Sequence, residues 1–272
     1  MPTTQSLKKQ LRGIRLTQKL AKAMRTISTV KFSKLNGMHS EYAEYGRQCR
    51  LLLEKYGADY SQTIRETDPA APAAVIVMTA NKGLCGSFNA EILKFACEEL
   101  SRMETVLLVA CGKKAISYFK GKKLPIEKEY ILSDIPTYEE SSAFLEDMIE
   151  WRTSGRVSKV YVIYARYNNM VKQTPVMCQL FAAGDSDDND RVLFVPDRNT
   201  SVAQTAKTVF RSMFYGLVLD SAIGAQAATL MTMRSAYDTA TEYCARLEGQ
   251  INRKRQSVVT ADVIETSTEW SE

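Results

Sequence analysis

Residues 199–272, NTSVAQTAKTVFRSMFYGLVLDSAIGAQAATLMTMRSAYDTATEYCARLEGQINRKRQSVVTADVIETSTEWSE, decide how the whole chain is read. The stretch contains no proline, so no residue in it removes a helical hydrogen bond or clashes with the preceding turn. Apolar or small residues recur at Val202, Ala206, Val209, Met213, Gly216, Ile223, Ala227, Leu230, Tyr237, Cys244, Leu247, Ile251 and Val258. That alternating three-and-four spacing is a coiled-coil seam, with Leu230, Met233, Leu247 and Ile251 as its C-terminal members. At about 1.5 Å per residue such a helix is roughly 100 Å long, several times what a compact domain needs. It needs a partner.

The other end of the chain offers one. Proline is absent from residues 3–68 as well. There Leu7, Leu11, Ile14, Ala21, Met24 and Ile27 lead into Leu35, Met38, Tyr42, Tyr45, Cys49, Leu52 and Tyr56 at the same spacing. Continuous to about Gly57, this second helix spans roughly 80 Å. Gly13, Gly37 and Gly46 each cost about 1 kcal/mol relative to alanine and mark kinks or close helix contacts. Two long seams at opposite ends of one chain bury their stripes against each other when the helices run antiparallel.

The middle must return the chain to its starting side, and it alternates strands with helices. Residues 73–79 (AAVIVMT), 105–111 (TVLLVAC) and 157–164 (VSKVYVIY) are apolar runs suited to strands buried on both faces. Residues 125–130 make a third strand, and 174–181 with 191–196 form extended edge segments around the acidic run 185–190. Helical periodicity occupies 88–102, 113–120 and 139–151. The fold class is therefore α/β: a long antiparallel coiled coil of N- and C-terminal helices with an inserted Rossmann-like open α/β domain, mainly parallel. Its parts are residues 1–68, 69–196 and 197–272.

Bulk properties bound the function. A chain of 272 residues, 45% apolar and 25% charged, has ordinary globular composition. Residues 1–40 hold nine Lys or Arg and no Asp or Glu, which suits either a solvated face or an anionic partner surface. Six cysteines without a C-x-x-C pair, and His39 as sole histidine, argue against a zinc or iron-sulfur site and for a reducing compartment. Neither a secretory signal nor an apolar run of about 18 residues is present.

The local motif of most interest is Asn81-Lys82-Gly83-Leu84-Cys85-Gly86-Ser87-Phe88-Asn89, between the first strand and a helix. Its G-x-x-G spacing, without a following Lys-Ser or Lys-Thr, fits neither phosphate-loop nor dinucleotide fingerprints. A structural turn is expected. Cys85 is either a thiol activated by the helix N-terminus and Lys82 or a small buried turn residue. His39 is expected on the surface of the first helix, and Glu139, Glu140, Glu146 and Asp147 on a solvated helix. No catalytic residue, cofactor site or metal site is expected.

Three separated segments resemble one family. Residues 12–24 (RGIRLTQKLAKAM), followed by Val30-Lys31-Phe32, are similar to the N-terminal signature of F-type ATP synthase γ subunits, approximately R-I-K-S-x-x-N-T-Q-K-I-T-K-A-M. Gly83-Leu84-Cys85-Gly86 with Phe88-Asn89 resembles the family's G-L-C-G-x-F-N. Leu230-Met231-Thr232-Met233, Ala236, Asp238 and Ala240, then Asn252, Arg255, Gln256 and Thr260, resemble its C-terminal motif. The resemblance implies a non-catalytic rotor whose helices form a shaft inside a ring of α and β subunits. It implies a foot at the membrane c-ring and the epsilon subunit as a further partner, with neither nucleic acid nor a small-molecule substrate. The location it implies is peripheral, on the cytoplasmic face of a bacterial inner membrane. It also assigns contacts to the acidic β-subunit lever to Lys19, Lys22, Met24 and Arg25.

The chain departs from the family at several points. Where relatives carry S-E-x-A-A-R, it has Gly224, Ala225, Gln226, Ala227, Ala228 and Thr229. Thr239 replaces an Asn, Val263-Ile264-Glu265-Thr266 replaces the usual ending, and Asn81-Lys82 replaces an acidic-basic pair. These differences point to a divergent lineage, such as a second or sodium-coupled ATPase. Two rival readings remain: an adaptor binding nucleic acid through the basic first helix, and an α/β enzyme using the Gly83 loop.

Overall fold

In the computed structural model, residues 3–63, 70–181 and 198–269 are described. Along the chain lie α1 (Thr4–Thr63), β1 (Ala73–Met78), α2 (Phe88–Leu100), β2 (Val106–Cys111), α3 (Lys113–Gly121) and β3 (Lys128–Tyr130). Then come α4 (Tyr138–Thr153), β4 (Val160–Tyr167), β5 (Gln173–Leu180) and α5 (Arg198–Glu269). The two terminal helices run unbroken for 60 and 72 residues, as their proline-free sequences allow. The expected edge segment 191–196, the acidic run 185–190 and Trp270 fall outside the described residues, as do the side chains of Tyr56 and Val202.

The chain divides into two compact units, Met1–Ser28 with Leu230–Glu272, and Thr29–Thr229. The larger unit is built on a sheet of order β3-β2-β1-β4-β5, parallel throughout except for the antiparallel β4–β5 pair. Strand alternation sends Ala74, Ile76 and Met78 to one face, where they pack with α4 and with Val209, Phe210 and Phe214 of α5. Val75 and Val77 face the other side, against Ile92 and Ala96 of α2 and Phe119 of α3. Burial on both faces is why β1 reads as an unbroken apolar run. The third strand is shorter than the sequence suggests. α4 starts with a capping box, in which Thr137 Oγ1 accepts from Glu140 N while the Glu140 carboxylate accepts from Thr137 N.

In both units the terminal helices pair antiparallel, because partners step down α5 as they step up α1. In the smaller unit Arg15 meets Glu248, Gln18 meets Thr241 and Arg25 lies over Tyr237. In the larger unit His39 meets Asp220 and Tyr42 meets Ser212. Tyr42 Oη donates to Ser212 O at 2.6 Å, and a Cβ added at Gly216 would lie 2.7 Å from the Tyr42 ring. Glycine is what lets that ring seat against α5. Of the three α1 glycines expected to mark kinks or close contacts, Gly46 lies against the same Tyr42 ring, where an added Cβ would sit 2.7 Å away, whereas Gly13 and Gly37 face open space.

The phase of the α1 seam corrects one part of the sequence reading. Leu7, Ile14, Ala21, Ser28, Leu35, Tyr42 and Cys49 keep a strict seven-residue repeat and are buried or half-buried. Choosing the more apolar Ile27 over Ser28 loses that phase: Ser28 is 4% exposed and Ile27 is 49% exposed. Tyr45, Leu52 and, on α5, Val258 likewise face outward.

Candidate functional site

Two places carry the residues that the sequence singles out: the turn after β1 and the helix seam. The turn is closed by Asn89 in the first turn of α2. Its Oδ1 accepts from Ala80 N at 2.9 Å, while its Nδ2 donates to Lys82 O at 3.3 Å and to Cys85 Sγ at 2.9 Å. Leu84 and Gly86 take left-handed backbone angles, φ 66° and 58°. One amide side chain thus holds both ends of the loop, so the stretch is a self-satisfied turn. Cys85 is 4% exposed, and burial pushes its thiol pKa above the ordinary value. Lys82, which sequence proximity would have lowering that pKa, instead points to Asp134 at 2.9 Å. Of the two readings of Cys85, the buried turn residue holds.

The sheet order reverses between β1 and β4, and in open α/β sheets ligands bind at the carboxyl ends of strands flanking such a reversal. Here α5 occupies that edge. A Cβ at Gly224 would meet the Phe88 ring and the Gln173 side chain at 3.3 Å and Ala165 O at 3.7 Å. Ala225 is buried in the same cluster as Phe88 and Ala165. The crevice is filled by the chain's own helix, at the segment where this sequence departs from the motif S-E-x-A-A-R. A small residue is what allows the fit. Among the described residues no group of three His, Cys, Asp or Glu could hold a metal ion.

Beside the turn, between α2 and α3, runs an open groove of about 960 Å³. Leu84 and Leu93 line it together with Cys97, Lys114, Tyr118 and Lys122. Lys122 Nζ lies 3.7 Å from Cys97 Sγ and 4.8 Å from the Tyr118 ring centre. Apolar side chains are also exposed at other loops on the carboxyl edge of the sheet: Ile131 after β3, and Met170 and Val171 between β4 and β5. Leu124, before β3 at the opposite edge, is exposed too, but a single exposed leucine needs no explanation; the set grouped at the carboxyl edge suits a partner surface.

Along the seam of the smaller unit, Leu7 and Leu11 pack against Cys244 and Leu247, with Ile14 and Ile251 at the margin. Met233 and Leu247 are buried, and Leu230 and Ile251 are half-buried. The four lever positions separate. Lys19 and Lys22 are exposed, whereas Met24 and Arg25 are half-buried, with the Arg25 guanidinium 5.0 Å from the Tyr237 ring centre. Facing outward near the lysines is a stripe of Leu16 and Leu20, not singled out from the sequence, with Ile27, which the sequence assigned to the seam, continued on α1 by Val30. Its signal was present: the same three-and-four spacing, offset onto the face opposite the seam.

Two further sequence expectations are corrected. His39 is half-buried, not a free surface residue: Nε2 sits 2.9 Å from Asp220 Oδ1, and the ring meets Tyr167 edge-on. The hydrogen bond to Asp220 raises its pKa, against the lowering effect of burial. The α4 carboxylates are engaged rather than simply solvated. Glu146 pairs with Arg211, and Asp147 binds Lys128 at 2.6 Å and accepts from Tyr130 Oη.

Residues 3–268 match the family model described as ATP synthase. Among curated proteins, the chain is 25% identical to the ATP synthase gamma chain of Rubrobacter xylanophilus, over 97% of this chain and 96% of that one. It is 26% identical to the gamma chain of Desulforudis audaxviator, over 97% of each. Among solved structures, the rotor of Euglena gracilis mitochondrial ATP synthase matches with TM-score 0.69 at 16% identity, covering 94% of this chain and 98% of that one. The central stalk and c-ring structure from Tetrahymena thermophila contains a chain that matches with TM-score 0.61, also at 16% identity, over 80% and 99%. The family model spans both helices and the sheet between them, and the chain belongs to the family of ATP synthase gamma subunits.

Proposed function

We propose that this chain is the central-stalk rotor of an F-type ATP synthase. It carries torque between an ion-driven membrane ring and a catalytic ring of α and β subunits, and it holds no catalytic residue of its own. One observation carries the reading. The helices from opposite ends of the chain are paired antiparallel, and one of them fills the sheet crevice where an α/β enzyme would bind its substrate. A fold that closes its own ligand site and invests its length in two paired helices suits a mechanical part. Residues 1–68 and 197–272 act as shaft and residues 69–196 as foot.

Lys19 and Lys22, with the apolar stripe Leu16, Leu20 and Ile27, form the face offered to the acidic lever of the β subunits. Met24 and Arg25 contribute to the same contact, and Arg25 also lies over the Tyr237 ring of α5. The turn Gly83-Leu84-Cys85-Gly86, with Ile131, Met170 and Val171, belongs to the foot surface that meets the c-ring and the epsilon subunit. No described helix is long and apolar enough to cross a membrane. In the rotor reading, membrane association runs through partners, on the cytoplasmic face of a bacterial inner membrane. Affinity purification of the tagged chain from native membranes tests the reading: ATPase α and β subunits should co-purify, and their absence would sink it.

A further inference from the structure

We propose that Asp134 is a positioning residue that fastens the β1–α2 turn to α1, so that load reaching that turn passes into the paired helices through one carboxylate as well as through the packed core. This rests on the rotor reading and assigns a load path within it.

Asp134 lies in the loop between β3 and α4. Its Oδ2 accepts from Lys31 Nζ of α1 and from Lys82 Nζ of the β1–α2 turn, the latter at 2.9 Å. The Asp134 and Lys31 side chains are only 21% and 25% exposed, so solvent screens that arm less than an ordinary surface pair, whereas the Lys82 side chain is 75% exposed and its arm is the weaker one. Two ammonium groups on one oxygen make charge-assisted bonds, the stronger class of hydrogen bond. Burial works to raise the Asp134 pKa, but the two lysines outweigh it and hold it below the ordinary value. The carboxylate is therefore ionised at neutral pH.

The residues around it are pinned on every side. Asn81, next to Lys82, donates from Nδ2 to Leu132 O at 2.6 Å and accepts from Lys113 N at 3.2 Å, tying the turn to the same loop and to the start of α3. Ile135 packs into the cluster of Leu35, Leu219 and Ile223. Lys31 and Leu35 are one turn apart on α1, so the polar and the apolar grip hold the same helix face. Two residues later Thr137 caps α4. A loop gripped in this way has little freedom to yield, and Asp134 is its one carboxylate between the turn and α1. The pair Asn81-Lys82, which replaces an acidic-basic pair of the family, here supplies both contacts to the loop.

The test uses the assembled complex, with the α/β ring immobilised, the rotor stalled and a probe on the foot; the angular spread of the probe reads torsional compliance. Asp134→Asn keeps the shape and removes the charge, and it should widen the angular variance roughly two-fold. Lys31→Met should do the same, and the double variant should be no softer than either single variant. Should Asp134→Asn fail to assemble, Lys31→Met carries the test alone. An unchanged spread in intact complexes would overturn the fastening while leaving the rotor reading in place. Failure of the unmodified chain to assemble with α and β subunits would instead remove the rotor reading, and the load path with it.

Discussion

The same two helices pair in both units, but with different material. In the smaller unit a single stripe per helix is buried, made of Leu7, Leu11, Ala21 and Ser28 on α1 and Met233, Ala240, Cys244 and Leu247 on α5. Its flanks are polar: the Arg15–Glu248 pair is about half exposed. In the larger unit α5 is buried over most of its circumference. Phe214, Leu219 and Ile223 are all 0% exposed, because the sheet and α4 cover the sides that α1 leaves open. Two helices alone can hide one stripe each, whereas a helix inside a layered domain can hide most of its surface. Stability should therefore concentrate in the larger unit, and the outer faces of the smaller one stay available to partners.

The largest effect should come from Phe214→Ala. Phe214 packs edge-to-face on Phe144 at 5.1 Å, and its removal leaves a cavity between α5 and α4. The expected cost is about 3–5 kcal/mol in urea unfolding of the isolated chain. Leu247→Ala, at the open seam, should cost about 2 kcal/mol, the low end for such a truncation, because solvent and neighbours can collapse into the gap. Equal costs would break the comparison and make the two units one cooperative block.

Leu247→Asp sharpens it further. An aspartate there puts a carboxylate against the apolar side chains of Leu7 and Leu11. Amide exchange should accelerate along residues 4–28 and 233–254 while the amides of β1 and β2 keep their protection. In the assembled complex, coupled activity should be lost. Exchange that accelerates equally in the sheet would argue against separate units.

Gly216→Val comes next. The added side chain would enter the space of the Tyr42 ring, at an expected cost of about 1–3 kcal/mol by thermal or urea unfolding. A wild-type melting curve would mean that α1 can move aside at this point, and the larger unit would then be looser than its burial suggests.

The contrast between units also governs what could be read from sequence. Where a helix buries one stripe, its period survives in the text, and the C-terminal seam from Tyr237 to Ile251 is legible in its large members, with the small Ala240 passed over. Where α5 is covered from several sides, periodicity blurs. Phe210, Phe214 and Leu219 are core residues that a single-stripe reading passes over in favour of Met213 and Gly216. Strands buried on both faces announce themselves as apolar runs, so β1, β2 and β4 were found, while the three-residue β3 was overdrawn. The turn at Gly83 was recognisable as a turn. Its filled neighbour was not, because Gly224 is distant in sequence and nothing local says what lies against it. His39 and the α4 carboxylates were misread for a related reason: a charged residue on a helix looks solvated until the opposite element is known.

The smallest predicted effect rests on His39, and its sign can be worked out. Protonated His39 pairs with Asp220, and that hydrogen bond raises its pKa above the ordinary value near 6.5. Folding then favours the charged imidazole, so the stabilisation is fully present below the unfolded pKa and fades as pH rises through the higher folded one. The pair is partly solvated, with side chains 35% and 19% exposed, which limits the gain to less than about 1 kcal/mol. The groups around it are Asp220 on α5 and Tyr167 on β4, and Tyr164 and Arg166 of β4 also feel the Asp220 charge. Since His39 is the sole histidine, its ring proton gives an unambiguous titration by NMR. Unfolding free energy measured from pH 5.5 to 8.5 should decline for the unmodified chain by up to that amount, and His39→Gln should flatten the decline. A histidine that titrates at or below its ordinary value would mean that burial outweighs Asp220, and this junction of the larger unit would then be held by packing alone.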